Sequence, residues 1–232
     1  MLLDYDIRNI IARMQTLTEH IYHLAPPGGL FDETAIANLF PESTTGARAL
    51  LVHRAVQAGE ILRLKPGLYL LDRRYRHSEP HPFQIAALLH YPSHISLESA
   101  LSWHGLIPEA VYQVSSVTAQ RSRTFTTPLG VFTFQRVPAR LPRAGVQALQ
   151  VARDTWAFIA SPLRAIADML YLDKTITWKN NGLSWLEESL RIEEEDLRQI
   201  PFTDIDDIVT SLRSLRVRNY LQQLKGALHY AG

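Results

Sequence analysis

The sequence predicts an α+β chain: helices leading into a β-hairpin, then a mixed α+β region that ends in helices. Three observations predict it. Apolar residues recur at helical spacing through the first 56 residues. The period changes to that of strands at Ile61. Beyond a polar, proline-bearing stretch at 73–80, β-rich runs and further helical runs follow.

Ile7, Ile10, Ile11, Met14, Leu17 and Ile21 predict an amphipathic helix over Ile7–Leu24, stopped by Pro26-Pro27-Gly28-Gly29. Asp32 is placed to cap a short helix whose inward face is Ala35, Ile36 and Leu39, and Pro41 ends it. A third helix runs from Ala47 to Val56 and closes at Gly59. Ile61–Leu64, a Lys65-Pro66-Gly67 turn and Leu68–Leu71 then read as a hairpin. Helix, short helix, helix, hairpin is the order of a winged helix-turn-helix, assigned to residues 1–72. Residues 73–80 read as a linker, and 81–232 as an α+β domain.

In that domain Phe83–His90 reads as a helix, and Ser96 is placed to cap a second one ending at Gly105. Val111–Ala119 is β-rich, and Arg123–Thr127 and Val131–Val137 flank a Pro128-Leu129-Gly130 turn. Ser161-Pro162 opens a helix through Leu172. Thr203 or Asp204 is placed to cap a later helix. The chain closes on an apolar stripe of Leu212, Leu215, Tyr220, Leu221, Leu224 and Leu228.

Composition narrows the function classes. The chain has 232 residues, no cysteine and a net charge of +1. A disulfide framework, a thiolate metal site and a cysteine nucleophile are thereby excluded. No apolar run reaches the roughly 18–20 residues that cross a bilayer. The start is acidic and lacks a basic region, so a secretory signal is not expected, and the expected location is cytoplasmic. The charge is uneven: −4 over residues 1–42, +8 over 43–153, −7 over 154–210 and +4 over 211–232. The +8 block is the footprint expected of a polyanion binder.

A reading helix needs small or polar residues and a cation at its N-terminal end. Ser43, Thr44, Thr45 and Arg48 stand there, with Arg54 two turns on and Arg63 and Lys65 on the wing. These seven are the expected DNA contacts. Alternatively, the same module docks a partner protein without DNA. Arg121, Arg123, Arg136, Arg140 and Arg143 extend the basic character and suit a nucleic-acid surface or a solvated outer face equally.

Other chemistry finds little support. His77 and His81, and His90 and His94, are spaced i, i+4, but prolines break the helix that metal ligation at that spacing needs. Ser96 and Ser99 lack a nucleophile elbow. Asp168, Asp173, Glu187 and Glu188 read as a solvated acidic face, and no glycine-rich phosphate loop occurs. No catalysis, metal or cofactor is expected. An enzyme would require a closed pocket joining two or more of His94, His104 and Asp168.

Three stretches carry a family likeness: Gly59–Tyr69, Ile95–Ile107 (Ile-Ser-Leu-Glu-Ser-Ala-Leu-Ser-Trp-His-Gly-Leu-Ile), and Ser161–Leu170 with the later Ser214–Arg218. In these the chain resembles the AbiEi antitoxins, the regulator half of type IV toxin–antitoxin (abortive infection) modules. The resemblance covers most of residues 31–225. It implies a repressor that binds inverted repeats in its own promoter. It also implies a C-terminal α+β domain that counteracts a nucleotidyltransferase-like toxin, with or without touching it.

Overall fold

The structure, a computed structural model, describes residues 16–107 and 113–229. Of the first expected helix, the stretch with Ile7, Ile10, Ile11 and Met14 lies outside the described residues, as does the expected strand start at Val111. The chain is α+β and divides into two units, residues 1–89 and 90–232.

The first unit contains α1 (Thr16–Leu24), β1 (Leu30–Asp32), α2 (Glu33–Leu39), α3 (Thr45–Gln57), β2 (Ile61–Lys65), β3 (Leu68–Leu71) and α4 (Pro82–Leu89). The strands form an antiparallel sheet in the order β1-β3-β2. β1 was not foreseen: Leu30 and Phe31 pair with Leu70 and Tyr69. Leu17 and Ile21 of α1 share one core with Phe31, Ile36, Ala55, Ile61, Tyr69 and Leu71. Asp32 caps α2 as expected, accepting from Ala35 N at 2.9 Å.

The division falls later than the expected linker. Residues 73–80 are fastened to the first unit: Arg74 donates to Gly59 O at 2.7 Å, and Ser78 Oγ accepts from Gly28 N at 3.3 Å. Helix α4 belongs to it too, because Lys65 Nζ donates to Leu88 O and Leu89 O at 2.7 and 2.8 Å. An ammonium at a helix C-terminus meets carbonyls that have no partner in the helix.

The second unit is a six-stranded mixed sheet with helices. Its elements are β4 (His94–Ile95), α5 (Leu97–Trp103), β5 (Gln113–Thr118), β6 (Arg123–Thr127), β7 (Gly130–Arg136), β8 (Val146–Ala152), β9 (Thr155–Ala160) and α6 (Pro162–Leu172). Short helices α7 (Trp178–Asn181) and α8 (Glu194–Arg198) precede α9 (Ile205–Leu212) and α10 (Leu215–His229). Strand order is β6-β7-β5-β4-β9-β8. The pairs β6/β7, β5/β4 and β9/β8 are antiparallel, while β7/β5 and β4/β9 are parallel. Helix α6 packs on β9, α5, α9 and α10. Ser161 caps it, accepting from Arg164 N at 3.2 Å, with Pro162 in the first turn as expected. The terminal stripe is core: Tyr220, Leu221 and Leu224 are buried, whereas Leu215 is 72% exposed.

Gly145 precedes β8 with φ of +68°, and a methyl group there would stand 2.8 Å from both Arg164 Cβ and Ile208 Cδ1. Gly46, in the first turn of α3, has open space around it. Gly145→Ala is therefore expected to cost about 2 kcal/mol or more. Gly46→Ala should gain up to about 1 kcal/mol. Urea denaturation of both variants against the parent checks the contrast.

Candidate nucleic-acid interface and the buried centre of the second unit

Helix α3 begins where Thr44 Oγ1 accepts from Ala47 N at 3.2 Å. Arg48, half-buried one turn on, folds back. Its Nη1 donates to Phe40 O at 3.3 Å and also to Ser43 O, and its Nη2 reaches Thr45 Oγ1 at 3.4 Å. The guanidinium thus satisfies carbonyls at the end of α2 and in the turn. Arg48, expected to read a base, instead ties the end of α2 to the start of α3. Lys65, the expected wing-tip cation, caps α4 instead.

Arg54 and Arg63 remain. Both are exposed, and neither side chain makes a hydrogen bond or ion pair among the described residues. Thr45 is exposed and Ser43 half-buried. Glu33, Thr45, Arg48, His53 and Arg63 are among the residues lining a groove of about 720 Å³ walled by α2, α3 and the sheet. Helix α3 carries no acidic residue, and Gly46, Ala47 and Ala49 leave its N-terminal half low-walled and exposed. Only Ala55 of α3 is fully buried, while Leu50 is 47% exposed. Leu50 and Leu51 lie about 100° apart on the helix, so only one can face the core.

Charge is balanced in this unit. Residues 16–89 hold seven basic and seven acidic side chains. Arg73 and Arg76 pair with Glu79, and Arg74 with Asp72. The excess of the +8 block sits in residues 90–153, with six arginines against two acidic residues. Arg121, Arg123, Arg136 and Arg140 are exposed there, and the Arg143 guanidinium lies 4.4 Å from the Phe158 ring centre.

The second unit has a buried polar centre. Arg164 and Asp168 are wholly buried on successive turns of α6 and joined by Arg164 Nε to Oδ1 at 2.9 Å. Ser96 Oγ donates to Asp168 Oδ2 at 2.8 Å, and His94 Nε2 lies 3.4 Å from the same oxygen. Arg164 Nη1 donates to Ala144 O at 2.5 Å. The expected solvated acidic residue is thus the centre of the core. Ser96 occupies the N-cap position of α5 but makes no capping bond. Its hydroxyl is spent on Asp168, and the next residue, Leu97, takes the left-handed φ of +56°. Asp204, at the start of α9, likewise caps nothing with its side chain and accepts from Ser161 Oγ at 3.1 Å.

Ser96, Asp168 and His94 do not form a nucleophile–base pair. The carboxylate stands between the other two, and the serine proton points at it in a wholly buried site. His104 lies apart, 2.9 Å from Ala160 O. His77 stacks on Tyr22, and His81 Nδ1 accepts from Phe83 N. Among the described residues no group of three or more His, Asp or Glu side chains is placed to hold a metal. Nor is any helix there long and apolar enough to cross a membrane.

Sequence reasoning did not single out Arg164. The available signal was a charged i, i+4 pair inside the otherwise apolar run Leu163–Leu170. Two of the stretches that carry the likeness, Ile95–Ile107 and Ser161–Leu170, meet in space through Ser96, Asp168 and Arg164. No family model and no curated protein matches the chain.

Burial alone pushes the Asp168 carboxyl up, but Arg164 and His94 beside it outweigh burial and hold it below the ordinary 3.8. A carboxyl lowered in the folded state stabilises fully above its unfolded value, and that contribution fades as pH falls through the lowered folded value. Asp168→Asn is expected to cost about 3–5 kcal/mol at pH 7, because Arg164 is left buried without a counter-charge. Urea melts from pH 7 downward should show the gap between parent and variant narrowing below 3.8.

Proposed function

We propose that the chain is a DNA-binding transcriptional repressor and type IV antitoxin, with the first unit acting as a winged helix. In this reading α2 and α3 are the helix-turn-helix and β2–β3 the wing. The observation that carries it is the acid-free, small-residue N-terminal half of α3, with the uncommitted cations Arg54 and Arg63 nearby. Exposed Gly46, Ala47 and Ala49 permit close approach to a groove floor, and Thr45 can donate to phosphate or a base edge. Its target would be double-stranded DNA bearing inverted repeats in its own promoter. The family likeness in Ile95–Ile107 and Ser161–Leu170 supports antitoxin activity in the second unit against a nucleotidyltransferase-like toxin. A downstream reading frame of that class supports this part if found.

The balanced charge of residues 16–89 favours a second reading, in which the same face docks a protein. Salt dependence separates the two. Counterion release makes log affinity for DNA fall linearly with log salt, by roughly 0.9 per phosphate neutralised. Anisotropy titrations on the upstream DNA should give such a line for the full chain. Arg54→Ala and Arg63→Ala should each weaken binding and flatten the slope by about one phosphate, at unchanged melting temperature. Lys65→Ala should act on stability instead, by about 1 kcal/mol, with the slope preserved. Absence of an anisotropy change at low salt sinks the repressor reading in favour of the protein-docking one.

A further inference from the structure

The sheet of the second unit ends on β6 at one side and on β8 at the other. The two edges are built differently. β6 opens on Arg123 and is followed by Pro128, a cation and a proline of the kind that deter a further strand. β8 reads Val-Gln-Ala-Leu-Gln-Val-Ala, seven residues with neither charge nor proline. Among the described residues β9 is the one element that packs along its length. Gln147, Ala148, Gln150 and Ala152 are exposed.

The backbone bonds show which groups of β8 are free. Alternate residues of an antiparallel strand turn N–H and C=O to the same side. Gly145 O accepts from Ser161 N, just past β9, at 2.7 Å, and the next N–H, of Val146, turns the other way to Arg143 O at 3.0 Å. Gln147 and Leu149 therefore face β9, while Val146, Ala148 and Gln150 face outward. No described backbone group meets Ala148 or Gln150 on that side. An uncharged edge of this length is a template for pairing with another strand. On one face of the hairpin Ala148 stands opposite Phe158 and Gln150 opposite Trp156. The two rings are 37% and 62% exposed. Exposed apolar rings beside an open edge mark an interaction surface.

We propose that β8 pairs antiparallel with β8 of a second copy of this chain, about a two-fold axis through Ala148. A two-fold normal to a sheet keeps each side chain on its own face, so outward residues meet outward residues: Ala148 meets Ala148, and Val146 meets Gln150. The smallest side chain of the strand falls on the axis, and Phe158 of each copy borders the shallow step that the alanines leave. Antiparallel pairing also sets the Arg143 end of one copy beside the Arg153–Asp154 turn of the other. That turn carries no net charge, with its ion pair at 3.7 Å, and offers Arg143 an exposed carboxylate. Parallel pairing would set Arg143 against Arg143. Self-pairing also closes: it uses up both β8 edges and leaves the β6 edges, with their arginine and proline, at the two ends of the joined sheet. This surface belongs to the second unit and stands or falls independently of the DNA reading, which concerns the first.

Sedimentation velocity of the full chain from about 2 to about 200 µM tests it, a span chosen for the dissociation constant of about 10–100 µM that suits a small, transient interface. A reversible monomer–dimer equilibrium is expected. Ala148→Lys sets two ammonium groups face to face on the axis and should weaken dimerisation about tenfold or more. Because Ala148 is exposed, the melting temperature of the dilute protein should stay near that of the parent. If Ala148→Lys does not fold, Gln150→Lys, also exposed and outward, takes its place. The chain has no cysteine, so a single Ala148→Cys substitution reports on register. Directly opposed residues of a hydrogen-bonded pair stand about 5.5 Å apart at Cα, within disulfide range. Ala148→Cys should therefore form a covalent dimer on mild oxidation, and Gln147→Cys, set opposite Leu149, should do so far more slowly. The proposal is overturned if the chain stays monomeric up to about 200 µM, well above the dissociation constant expected of even a weak specific pair. It is equally overturned if the dimer survives undiminished in a folded lysine variant, or if Gln147→Cys cross-links as readily as Ala148→Cys.

Discussion

The carboxylate of Asp168 is the point through which the second unit is tied together. It receives Arg164 from its own helix, Ser96 from the lead into α5, and His94 from β4. Through Arg164 the same centre reaches Ala144 O, just ahead of β8. Burying both charges is expensive, and packed apolar residues would do as well for stability alone. A pair like this has directional demands that apolar packing lacks. Three side chains must arrive facing one carboxylate, the Ala144 carbonyl must face Arg164, and Gly145 must remain glycine to let β8 approach. Helix α6 therefore has one seat on the sheet.

The first unit also commits its cations, on carbonyls as well as on carboxylates. A unit of fewer than 90 residues buries a smaller fraction of its surface than a large domain, so helix ends weigh more in its stability. Arg48 closes the end of α2, Lys65 the end of α4, and Arg74 the carbonyl of Gly59. Each bond spends a positive charge that a linear count assigns to ligand binding. Arg54 and Arg63 are left uncommitted beside the exposed, small-residue start of α3.

This explains which parts of the fold were legible in the sequence. Asp32 before α2, Ser161-Pro162 before α6, and the Lys65-Pro66-Gly67 turn act on residues within four positions, so their signals are local. Ser96 carried the same local signal as Asp32, yet its hydroxyl goes to a residue 72 positions away. Lys65 finds its acceptors 23 and 24 residues on. Residues 73–80 have the polarity of a linker because they lie on the surface, and their attachments run through backbone carbonyls that composition does not register. β1 is only three residues long and was legible only once its partner β3 was known.

The charge pattern shows the limit of a one-dimensional reading most clearly. A block of +8 over residues 43–153 suggests one basic surface, but the chain divides inside it, at Leu89. On one side the cations are balanced by Asp32, Glu33, Glu60, Asp72 and their neighbours, and most are committed to carbonyls or carboxylates. On the other side six arginines stand against two acidic residues over 90–153, five of them at or near the ends of β5 and β7, and the acidic residues that balance that unit come later in the chain, over 154–210. Screening confines the field of an exposed charge to about 8 Å at physiological salt. Each surface then attracts only what comes within reach of its own side chains. In the first unit Arg54 and Arg63 are the cations left exposed and uncommitted for such an attraction.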